Sequence, residues 1–242
     1  MSFAPAHFAL VTRSRHVSAA ALVRIAAACD MQMKEDFYPI WQRHADVIAY
    51  ASEAAVPVHA WKVIVEDNIG NPNALGFHSD ELGQPVCYVS AQGGNLNAVS
   101  ITCSHEIIEA TCDPFGNRLI DAAHPQNNGQ RVRILCEPCD PSEAKSYSRH
   151  GNLPVSDFYF PEWFDDTQTA NQKYSLMDAL PGPRGIIQGG YMSFVDQNGQ
   201  WWQLTQFGTT TVNLEGPFNW QRKPHQSLRS MVDEQTRTRR AA

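Results

Sequence analysis

No run of apolar residues in this 242-residue chain approaches the about 20 needed to cross a bilayer as a helix. The opening residues, MSFAPAHFALVTRS, lack the basic start and long apolar centre of a secretion signal. The expected location is therefore cytoplasmic. Positive charge is also short: 19 Lys and Arg stand against 25 Asp and Glu, a formal net charge of −6. That balance argues against nonspecific nucleic-acid binding and against an anionic membrane surface as partners. The six cysteines, at 29, 87, 103, 112, 136 and 139, show no disulfide-framework spacing and read as reduced thiols. Cys136 and Cys139 form a C-x-x-C, which is either a redox pair or half of a zinc knuckle. Cys103 and Cys112 do not complete it on a continuous helix, because nine residues span roughly 13 Å of rise.

What is present is an ordinary globular composition, 43% hydrophobic and 18% charged. Residues 6–12 read as a first strand. Ser18 is an N-cap for a helix over about 18–36, with Leu22, Ile25 and Cys29 at helical spacing and Pro39 ending it near Phe37. Strands are expected at 46–51 and 59–66, then at 75–79 and 85–90 around the turn Glu81-Leu-Gly83-Gln. A second helix follows, with Asn97 as its expected cap, and Asp113-Pro114 ends it. Residues 131–135 suit a strand, and 189–195 with 200–206 flank Asp196-Gln-Asn-Gly199 as a β-hairpin. The aromatic cluster at 158–164 reads as core packing. The order predicts an α+β fold in one domain over 1–222, its N-terminal sheet and active helix in 1–117 and its C-terminal part in 118–222. The polar stretch 223–242 is expected to be a disordered tail.

The chemistry concentrates on the second helix, in Cys103-Ser-His105-Glu106-Ile-Ile-Glu109-Ala-Thr-Cys112-Asp113-Pro114. His105 and Glu109 are four residues apart, so both leave one helix face about a turn from each other. Glu106 stands beside them. An imidazole and a carboxylate at that spacing suit a metal, with a second carboxylate as proton acceptor. The motif H-E-x-x-E differs from H-E-x-x-H by one ligand that zinc accepts. No Lys or Arg of this helix neutralises the acids, and a buried carboxylate without a counter-charge is costly.

These residues resemble the zincin metallopeptidases, with His105 and Glu106 matching the signature outright and the element order similar over about 6–113. The resemblance implies a twisted mixed sheet with a backing helix, an edge strand lining a cleft, and a metal-motif helix. It also implies one Zn²⁺ and a peptide or protein substrate, and it puts His78 of Gly76-Phe-His-Ser-Asp80 where substrate binds. Zincins of the gluzincin type take a third ligand from a downstream Glu, which points to Glu137 in Cys136-Glu-Pro-Cys-Asp140-Pro, with Asp140 as the neighbour to weigh. More narrowly, the chain resembles little-characterised bacterial and phage-borne proteins carrying S-H-E-x-x-E-x-x-x-D-P, E-x-x-D-P and V-S-D-F, here Ser104–Pro114, Glu137–Pro141 and Val155–Phe158.

The expected activity is a zinc-dependent peptidase, with His105, Glu109 and Glu137 as ligands and Glu106 as general base toward a metal-bound water. The alternative is an inactive structural or assembly module that keeps a structural metal. A third reading places Ca²⁺ on oxygen ligands around Asp140 and Glu143.

Overall fold

A computed structural model describes residues 5–71, 74–206, 212–218 and 227–232. In chain order the strands and principal helices are β1 (Ala6–Thr12), α1 (Ala19–Gln32), α2 (Tyr38–Trp41), β2 (Ala45–Ala49), β3 (Trp61–Glu66), β4 (Gly76–Glu81), β5 (Gln84–Ser90) and α3 (Leu96–Cys112). They continue as β6 (Leu119–His124), β7 (Asn127–Leu135), β8 (Ser146–Ser148), β9 (Pro154–Ser156), β10 (Tyr191–Val195), β11 (Trp201–Thr205) and β12 (Asn213–Phe218). The fold is α+β. No helix of the described residues is long and apolar enough to cross a membrane.

The chain forms two compact units: Met1–Phe115 with Ser146–Ser156, and Gly116–Lys145 with Asp157–Ala242. In the first unit five strands run in the order β2-β1-β3-β5-β4. The β-branched strands at the centre pair in parallel, and β4 alone is antiparallel, at the edge. Such central strands must be buried on both faces, and Phe8–Val11 and Val63–Val65 are. The β4–β5 hairpin closes through Leu82 (φ 53°) and Gly83 (φ 80°), a two-residue turn that needs positive φ at both positions. α1 packs on β2 and on α3, and α3 packs on β5 and β4.

Ser18 caps α1 as expected, its hydroxyl accepting from the Ala21 N–H at 3.2 Å. The helix does not stop at Phe37. A π-helical turn, Met33–Phe37, carries it into α2, which ends on Gln42 in the left-handed region. The wide turn accommodates the missing N–H and the ring of Pro39, so the proline does not terminate the helix. α3 is capped by Asn95 rather than Asn97: Asn95 Oδ1 accepts from the Ala98 N–H at 3.3 Å.

The segment 146–156 returns to the first unit as the small β8–β9 ribbon. The Ser156 N–H donates to Ser104 Oγ at 2.7 Å, and Gln32 Nε2 donates to the Ser156 carbonyl at 2.7 Å. Tyr147 OH donates to Asp36 Oδ2 at 2.8 Å, and Arg149 pairs with the same carboxylate. Asp36 is thereby buried with its charge compensated.

The second unit is an antiparallel sheet in the order β12-β11-β10-β7-β6. The β10–β11 hairpin lies where Asp196-Gln-Asn-Gly199 predicts it, with Asp196 Oδ1 accepting from the N–H groups of Asn198 and Gln200. Phe158, Tyr159 and Trp163 are fully buried, with Tyr159 and Trp163 stacked at 4.3 Å. Of the stretch expected to be a tail, residues 227–232 are ordered instead. Leu228–Val232 is helical, and Met231 and Val232 pack with Val195, Trp201 and Phe218. Apolar residues at i, i+3 and i+4 give that turn a face to bury, which overrides its polar surroundings. Residues 223–226 and 233–242 lie outside the described residues.

Candidate metal centre

Every residue of α3 from Thr102 to Cys112 is buried. Three of its hydroxyl groups are satisfied within the helix: Thr102 donates to the Ala98 carbonyl, Ser104 to Ile101 and Thr111 to Ile107. His105 meets Glu109, and Glu106 and Glu109 meet a histidine from outside the helix. His105 Nε2 lies 3.2 Å from Glu109 Oε1, so the i, i+4 spacing read from the sequence does bring the pair together. On the other side of Glu109 is His78. Its Nδ1 lies 3.9 Å from Glu109 Oε2 and 3.4 Å from Glu106 Oε2.

His78 arrives from β4, in register with Cys87 of β5. Gly76 and His78 are two residues apart in a strand, so both face α3. The backbone comes very near the helix there: a Cβ on Gly76 would lie 2.6 Å from Thr102 Cγ2 and 2.7 Å from Glu106 Oε1. Only glycine lets the edge strand close over the Glu106 carboxylate. The far nitrogen of His78, Nε2, is 3.0 Å from the Asp113 carbonyl at the end of α3. A carbonyl only accepts, so Nε2 carries a proton and Nδ1 is the nitrogen turned to the two carboxylates.

Two buried thiols of the first unit, Cys87 and Cys103, lie near these acids. Burial, and after it the charges of Glu106 and Glu109, push the Cys87 thiol well above its ordinary range. Cys103 is raised by burial and by Cys29, Cys87 and Glu106. Cys87 Sγ contacts the Glu106 carbonyl at 3.7 Å.

His78, expected at a substrate subsite, thus stands within the acidic group itself. It also brings an imidazole from outside the helix beside both acids. Within the first unit, His78, Glu106 and Glu109 each offer a donor atom within 4.8 Å of the others. Glu137 belongs to the second unit. There Arg229 Nη1 lies 3.5 Å from Glu137 Oε2 and donates to Asp140 Oδ2 at 2.6 Å, while its Nη2 donates to Tyr191 OH at 2.9 Å. The guanidinium supplies positive charge to both acids, which leaves less call for Ca²⁺ around Asp140. Two features of the first-unit site were passed over in the sequence: Gly76, and the Asp113 carbonyl. A glycine two residues before a histidine on one strand face was the signal for the former.

Compared with protein-family models, with curated proteins and with solved structures, the chain matches none.

Proposed function

We propose that the group His78, Glu106 and Glu109, with His105 beside Glu109, holds one divalent cation of the zinc type, and that the protein is a metal-dependent hydrolase acting on a peptide or amide bond. The observation that carries this reading is the donor geometry. Two donors about 2.0–2.1 Å from a tetrahedral zinc stand about 3.3–3.4 Å apart. The pair His78 Nδ1–Glu106 Oε2 measures 3.4 Å, and Glu109 offers a donor atom within 4.8 Å of both. The chemistry of the set fits too, since imidazole and carboxylate both suit zinc, and two carboxylates offset its charge. A mixed sheet with one antiparallel edge strand, lying beside the helix that carries His105 and Glu106, supports the resemblance to zincins. When bound, the cation would supply Lewis-acid polarisation of a carbonyl. The chain's own part is to exclude bulk water and to hold the carboxylates fixed.

Burial favours a second reading, a structural metal in an inactive module. The side chains of His78, Glu106, Glu109 and His105 are 1%, 6%, 0% and 10% exposed, which leaves a substrate little approach. Elemental analysis of protein purified without added metal, together with hydrolysis of a peptide library before and after chelation, separates the two. One equivalent of zinc and chelator-sensitive cleavage support the hydrolase. One equivalent without cleavage supports the module. Folded protein with trace metal overturns both.

A further inference from the structure

Resting on that metal reading, we infer that the ion's ligands are His78, Glu106 and Glu109, and that His105 is a positioning residue that orients Glu109. The roles are thereby exchanged relative to the motif: the helix histidine stands outside the ligand set, the edge-strand histidine enters it, and Glu106 binds the ion. Three observations converge on this.

The protonation of His78 comes first. With Nε2–H donating to the Asp113 carbonyl at 3.0 Å, Nδ1 faces two carboxylates. A bare nitrogen lone pair and carboxylate oxygens repel, so either a proton, on Nδ1 or on a carboxyl, or a metal must lie between them. A charge-assisted N–H···O bond draws its atoms to about 2.7–2.9 Å. The separations here are 3.4 Å to Glu106 Oε2 and 3.9 Å to Glu109 Oε2, open by the margin an ion needs. A backbone carbonyl that fixes the distal N–H is also the usual support of a metal-binding imidazole.

Next is the division of Glu109. Its Oε1 faces His105 and its Oε2 faces His78. His105 is not grouped with His78 or Glu106 among donors within 4.8 Å of one another; it is grouped with Glu109 separately. An N–H from His105 Nε2 to Oε1 would turn Oε2 toward the ion, the part played by a hydrogen-bond donor to a ligating carboxylate.

The third is the wall. Because a Cβ at Gly76 would meet Glu106 Oε1 at 2.7 Å, the strand backbone presses this carboxylate to the His78 side, where its Oε2 sits. A general base needs room for its substrate's proton; a ligand needs to be held.

Competition titration of Zn²⁺ against a chromophoric chelator, on the full-length protein, tests this. His78→Ala should lose the stoichiometric site. His105→Ala should keep one equivalent with affinity lowered about 10–100-fold. His105→Gln, which retains an N–H donor, should recover most of that loss. Loss of the site in His105→Ala with unchanged affinity in His78→Ala would overturn the assignment. Should His78→Ala not fold, histidine ¹⁵N spectra of the zinc-loaded wild type decide the matter. One imidazole bound through Nδ1 with its proton on Nε2 supports the proposal, and binding through Nε2 alone overturns it. A wild type that takes up no zinc in the titration defeats the underlying metal reading instead, a separate result.

Discussion

Gly76→Ala puts the geometry of the centre to a quantitative test. In a strand interior, alanine for glycine ordinarily stabilises by about 0.5–1 kcal/mol. Here the new methyl would sit 2.6 Å from Thr102 Cγ2 and 2.7 Å from Glu106 Oε1. That is about 0.7 Å inside ordinary van der Waals contact, and overpacking of this kind costs about 1–3 kcal/mol. The clash outweighs the propensity gain, leaving a net loss of up to about 2.5 kcal/mol. For a chain of this size the melting temperature should fall by up to roughly 10 °C. Because the Glu106 carboxylate is the softer neighbour, it moves first, and zinc affinity should drop by about tenfold or more. Adding Thr102→Ser removes Cγ2 while keeping the hydroxyl bonded to Ala98. The double variant should regain most of the lost melting temperature but not the affinity. Calorimetry with chelator competition reads both quantities. A Gly76→Ala protein that melts above wild type and binds zinc normally would refute the close approach of β4 to α3.

Two further outcomes follow from the second unit. Arg229→Ala withdraws the guanidinium that faces Asp140 and Glu137, both buried, and should cost about 3–5 kcal/mol in urea unfolding; a loss under about 1 kcal/mol would show that this pairing does not hold the turn. Burial raises the Asp157 carboxyl above its usual range despite its hydrogen bonds, the N–H of Met177 at 3.0 Å among them. Since the folded state holds this proton more tightly than the unfolded one, the stabilisation is full below the ordinary carboxylate range and is lost as pH rises through the raised value. Wild type should therefore lose stability relative to Asp157→Asn as pH climbs out of the acid range, and parallel melting curves across pH would contradict this.

Local chemistry was legible where local chemistry decides. Ser18, the Leu82–Gly83 turn and Asp196–Gly199 each place an element end through hydrogen bonds or positive φ within a few residues. The His105–Glu109 contact likewise follows from helix pitch alone. His78 was not placed with Glu106, because that meeting spans 28 residues and depends on the edge strand packing flat against α3 at Gly76. Asn95 and Asn97 both suit a cap, and only the backbone entering the helix selects between them. Pro39 carried the usual stop signal, which a π-turn absorbed. The β6 strand was missed because Leu119–His124 alternates weakly, and its pairing with β7 supplies what periodicity does not.

Between its ends the polypeptide passes from one unit to the other three times, at 115/116, 145/146 and 156/157. No single cut therefore frees an intact first unit. A fragment ending at residue 115 would strip Ser104 Oγ of the amide it accepts, and would leave Asp36 buried without Tyr147 and Arg149. The helix bearing the histidine and its acids is fastened by Ser146–Ser156, so in synthesis its surroundings are completed only after Gly116–Lys145 of the other unit has been made.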